Sequence, residues 1–106
     1  MSRYWLSFDL GLSGNYDGLY EWLDNANAKE CADSTATFAT DKTPEDIEAE
    51  LSKLFELSKQ LNERARIYLV AKRGTRYTGR FILGGRKQQA PWTGYGRGIV
   101  EVDEEA

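Results

Sequence analysis

From Arg3 to Leu10 the chain alternates strictly, with Tyr4, Leu6, Phe8 and Leu10 on one side and Trp5, Ser7 and Asp9 on the other. A period of two is the pattern of a strand with one buried face. It limits the fold more than any other feature, because an apolar sheet face must be covered by a second layer. The cover follows at once. Gly11-Leu12-Ser13-Gly14-Asn15 breaks the pattern, and Tyr16, Leu19, Tyr20 and Leu23 then recur at i, i+3, i+4 and i+7, one face of a helix that ends near Asn25 to Asn27.

Residues 28–40 contain Thr35, Thr37 and Phe38 and read as a tight hairpin turning at Asp33-Ser34. Thr43 suits a helix N-cap, Pro44 the first helical position, and Glu45, Asp46 and Glu48 the positive end of the helix dipole. Ile47, Leu51, Leu54, Phe55 and Leu61 trace that helix's apolar stripe. The run from Arg66 to Lys72 reads as a near-continuous apolar strand, buried on both faces or central in a sheet. Gly74 marks a turn, and a last strand lies around Arg80 to Leu83, ended by Gly84-Gly85. The order is β-α-β-β-α-β with an extra C-terminal strand, an α+β chain of ferredoxin-like type with two helices on one face of an antiparallel sheet. Residues 1–90 form this domain, and residues 91–106 form a glycine-rich arm with an acidic tail.

The 106 residues include no histidine, which excludes imidazole bases, Ser-His-Asp and Cys-His nucleophile systems, and zinc sites with histidine ligands. Cys31 is the single cysteine, so no disulfide framework is available, and a lone thiol suits a reducing compartment. No apolar run approaches the length of a membrane span and no leader pattern opens the chain, so a cytoplasmic location without a membrane partner is expected. The net charge of −3 hides a segregation. Residues 1–61 carry 5 Lys/Arg against 12 Asp/Glu, a charge of −7; residues 62–97 carry 9 against 1, a charge of +8; residues 98–106 add −4. Seven of the ten glycines lie in residues 74–98, six of them within the basic stretch and Gly98 directly after it, so that stretch is also the one where backbone can approach a ligand closely.

The segments Tyr4-Trp5-Leu6-Ser7-Phe8-Asp9-Leu10, Tyr16-Asp17-Gly18-Leu19-Tyr20, Cys31-Ala32-Asp33-Ser34-Thr35 and Thr40-Asp41-Lys42-Thr43 together resemble the SinR-like group of small bacterial proteins. That group is similar in turn to the small CRISPR-associated ferredoxin-like ribonucleases and the VapD-type toxin ribonucleases. The resemblance spans about the first two thirds of the chain and implies a ferredoxin-like fold. It also implies a metal-associated catalytic aspartate at the end of the first strand, where this chain has Asp9. In a symmetric dimer two such aspartates would hold Mg²⁺ and activate a water for phosphodiester attack. The alternative role for Asp9 is to cap the turn before Gly11.

The basic segment carries a second hypothesis, binding of RNA or DNA. Lys72, Arg73, Arg76, Arg80, Arg86, Lys87 and Arg97 would meet phosphates, and Tyr77, Trp92 and Tyr95 would stack on bases. Against it stands a solvated basic face that balances the acidic helix or meets an acidic protein partner. The expected third strand, Ser34 to Thr40, lacks the paired aromatics of an RNA-recognition motif. Gly11-Leu12-Ser13-Gly14 has the spacing of a phosphate clamp but reads better as a turn, and Ser7, Ser34 and Cys31 read as polar or small edge residues. Trp22 stands off the first helix's main stripe, where it either widens the buried face or meets a partner. An extra strand and a glycine-rich arm suit a homodimer that covers exposed sheet edges.

Overall fold

The alternating N-terminal segment becomes the middle strand of the sheet. A computed structural model describes residues 1–11, 14–56 and 64–96. In chain order the elements are β1 (Ser2–Asp9), α1 (Tyr16–Asn25), β2 (Lys29–Ala32), β3 (Thr35–Thr40), α2 (Pro44–Leu54), β4 (Arg66–Arg73) and β5 (Arg76–Leu83). The five strands form one antiparallel sheet in the order β2-β3-β1-β4-β5. Two helices on such a sheet are compatible with a ferredoxin-like fold.

Register fixes which residues share a face. Tyr4 lies between Phe38 and Ala71, and Leu6 between Ala36 and Leu69. All of these are buried, and with Leu19 and Leu23 of α1 and Ile47 and Leu51 of α2 they form one core. Each buried Leu, Ile or Phe contributes about 1.5–3 kcal/mol relative to exposure. Both helices therefore cover the even-numbered side of β1, and among the described residues its odd-numbered side is left open.

The helix starts follow local chemistry. Asn15 Oδ1 accepts from the Gly18 N–H at 3.0 Å and caps α1. At α2 the Thr43 hydroxyl accepts from the Asp46 N–H at 3.1 Å, while Asp46 Oδ2 accepts from the Thr43 N–H at 3.1 Å, a reciprocal capping box with Pro44 at the first turn. The helices are joined by Trp22, whose indole N–H donates to Glu50 Oε1 at 3.0 Å while its ring packs edge-on against Phe38 at 5.3 Å. Trp22 thus widens the buried face of α1. The Lys42 ammonium, 2.8 Å from Glu50, and then the Trp22 indole hold that carboxyl below its ordinary value against partial desolvation.

Several elements differ from expectation. Tyr20, expected on the buried stripe of α1, is 54% exposed, with its ring edge-on to Phe8 at 6.3 Å and 5.7 Å from that of Tyr16. Helix α2 ends at Leu54 with Phe55 as its C-cap, and Leu61 lies outside the described residues. Strand β4 lies inside the sheet between β1 and β5, the second of the two expected settings, and is not buried on both faces. Ile67, Leu69 and Ala71 are buried, whereas Tyr68 and Val70 are half-buried, on the side that α1 and α2 leave uncovered. Strand β5 starts at Arg76, before the expected Arg80, and its first four residues are exposed. It pairs with β4 through a two-residue turn in which Gly74 takes φ +65°. No helix among the described residues is long and apolar enough to cross a membrane.

Candidate nucleic-acid interface

The open face of the sheet collects what the helix side excludes. Alternation places Trp5 of β1, Tyr68 and Lys72 of β4, and Tyr77 and Phe81 of β5 on it. The rings form two pairs: Trp5 and Tyr77, with centroids 6.4 Å apart, and Tyr68 and Phe81, edge-on at 4.8 Å. The Lys72 ammonium lies 5.6 Å from the Tyr77 centroid and the Arg86 guanidinium 5.8 Å from that of Phe81, both within cation–π range. Tyr77 is 63% exposed and the other three rings are half-buried. Gly79 makes the second pair possible. A Cβ at that position would run into the ring of Tyr68, which lies across β5 where a side chain would otherwise stand.

At one end of this face, where β1 finishes and β4 begins, is a cleft of about 530 Å³ lined by Asp9, Gly11, Arg64, Ala65, Arg66, Gly84, Gly85, Arg86 and Lys87. Asp9 is paired in register with Arg66 and is exposed. Its Oδ1 accepts from the Gly11 N–H at 3.2 Å, the turn-capping bond expected as its alternative role. None of the four cations of the cleft makes an ion pair among the described residues. Gly84, at φ +72°, is required there: a Cβ would stand 2.5 Å from the Ala65 carbonyl oxygen. Within one chain the cleft offers a divalent cation a single carboxylate, with one oxygen already accepting from Gly11 and four positive side chains around it, and no group of three acidic or thiol ligands exists among the described residues; the expected pair of aspartates would have to come from two protomers.

The expected phosphate-binding residues are split by the sheet. Lys72 and Tyr77 lie on the open face, with Arg86 and Lys87 at its end. Arg80 lies on the helix side, 3.1 Å from Glu48 and 3.5 Å from Glu45 of α2. The Glu45 carboxyl is held below its ordinary value by its own backbone N–H and by Arg80. Arg73 and Arg76 flank the same hollow, about 310 Å³, with Pro44, Glu45 and Thr78. Trp92 and Tyr95 are 74% and 84% exposed in turns beyond β5, and Arg97 lies outside the described residues, as do Leu12 and Ser13 of the GxxG segment.

Trp5, Tyr68 and Phe81, with Arg64 and Arg66, were not among the residues that sequence reasoning assigned to a nucleic-acid site. The available signal was the period-two sequence Arg66-Ile67-Tyr68-Leu69-Val70-Ala71-Lys72, which places Arg66, Tyr68 and Lys72 together on one face. No family model, curated protein or solved structure matches the chain.

Proposed function

We propose that the protein binds single-stranded nucleic acid on the open face of its sheet, with bases stacked on Trp5, Tyr68, Tyr77 and Phe81 and phosphates met by Lys72 and the cleft arginines. One observation carries this reading: two ring pairs and their cations share the face that both helices leave uncovered. Unpaired bases offer π-faces to such a platform, whereas the bases of a duplex are already stacked on one another. The strand order β2-β3-β1-β4-β5 supports taking the fold as ferredoxin-like with β5 added beside β4, in line with the resemblance to the SinR-like group and its ribonuclease relatives. Asp9, a turn cap among cations, supports binding over hydrolysis as the function. The proposal includes a homodimer formed along β5, an edge strand of eight residues, for which a monomeric mass in light scattering at high concentration is the contrary result.

Fluorescence anisotropy with labelled single-stranded RNA and DNA and a matched duplex tests the reading. Contacts to four to six phosphates give a slope of log affinity against log salt of about −3 to −4, a loss of roughly 10²-fold between about 50 and 200 mM salt. Single strands bind more tightly than the duplex, and Trp5→Ala or Tyr77→Ala weakens them. Absence of binding at low salt, or binding indifferent to these substitutions, contradicts the proposal.

A further inference from the structure

We infer that the cleft beside Asp9 holds the terminal phosphate of the bound strand, a phosphomonoester, while the rest of the strand lies along the aromatic face. This deepens the single-strand reading and rests on it. The cleft stands at the end of the platform and not across it, formed by the close of β1, the start of β4 and the exit from β5. Arg86 joins the two: it lines the cleft and its guanidinium lies 5.8 Å from the Phe81 centroid, so a base on the last ring has its phosphate beside the cleft.

Charge points to a chain end. Four cations against one carboxylate leave a formal excess of +3. A phosphomonoester carries about −1.5 to −2 near pH 7, whereas an internal diester carries a single charge. Arg80 is paired with Glu45 and Glu48 and Lys42 with Glu50, whereas all four cations of the cleft, gathered at one place, have no carboxylate partner among the described residues. Backbone access is open as well, since a Cβ at Gly11 or Gly85 would meet nothing within 4 Å. Asp9 accepts one hydrogen bond from Gly11 and has acceptor capacity left, which suits a ribose hydroxyl of the terminal nucleotide and not its phosphate.

The test compares one short oligonucleotide in three forms, with a 5′-phosphate, with a 3′-phosphate and with neither, against the wild-type chain, the double variant Arg86→Ala/Lys87→Ala and Tyr77→Ala. One phosphorylated form is expected to bind the wild type at least about tenfold more tightly than the unphosphorylated form, which also identifies the strand end. The double variant, changed at two exposed residues past β5, loses that ratio. Tyr77→Ala weakens all three forms and keeps it. Equal affinity for the three forms in the wild type overturns the inference and leaves the platform standing. If no oligonucleotide binds, a nucleoside monophosphate is titrated alone: binding abolished by the double variant sustains the cleft while the platform fails, and no binding overturns both.

Discussion

Replacing Gly79 by alanine separates the stability of this fold from the integrity of its open face. The new Cβ would stand 2.8 Å from Tyr68 Cζ and 3.0 Å from Cε2, where ordinary carbon contacts begin at about 3.5 Å. The obstacle is the far end of one side chain and not backbone, so the ring swings away. The loss is its edge-on contact with Phe81, about 0.5–1.5 kcal/mol. Alanine also restricts the unfolded chain more than glycine does, which returns about 0.4–1 kcal/mol. Net stability therefore changes by about 1 kcal/mol or less. Binding responds more strongly, because a stacking surface is worth about 1–3 kcal/mol per base, roughly 5- to 150-fold in affinity. Urea denaturation and oligonucleotide anisotropy on the same samples measure the two effects, with Gly96→Ala, whose Cβ meets nothing within 4 Å, as the matched control. A folded Gly79→Ala protein that binds single strands as the wild type does would refute the role given to Tyr68 and Phe81.

Three further outcomes follow from the same structure. Gly84→Ala combines φ +72° with a 2.5 Å approach to the Ala65 carbonyl oxygen, so it is expected to destabilise by about 2–5 kcal/mol in thermal melts; a neutral result contradicts the geometry of the cleft rim. Thr43→Ala removes one half of the capping box and is expected to cost about 0.5–2 kcal/mol, lowering Tm by several degrees without altering nucleic-acid affinity. Because Lys42 and Trp22 depress the Glu50 carboxyl in the folded state, its contribution is present above its ordinary value of 4.5 and is lost as pH falls through the depressed one. The urea midpoints of wild type and Glu50→Gln should therefore converge on acidification; a gap that widens toward low pH would reverse the assigned sign.

The sheet and its cover were legible because burial leaves a periodic trace. Tyr4, Leu6 and Phe8 announced a half-buried strand, and Thr43-Pro44 announced the start of α2. The exposed half of β5 left no such trace, since neither helix buries Arg76 to Gly79 and their pairing with β4 is backbone chemistry that composition does not encode. Charge was legible as a segregation along the chain, but not as a division in space. Arg80 and Tyr77 are three residues apart, an odd separation, so the pleat alone sends one to the acids of α2 and the other to the open face. Asp9 was rightly placed at the end of β1; its surroundings depend on Arg64, Arg66, Arg86 and Lys87, which converge only when β4 and β5 pair.

Nuclear magnetic resonance mapping with a short single-stranded oligonucleotide at low salt shows where a strand lies on the protein. The largest shifts are expected at the Trp5 indole and at the amides of Tyr68, Lys72, Tyr77 and Phe81, with α1 and α2 unmoved. Shifts gathered on the helices, or none anywhere, would contradict binding on the open face.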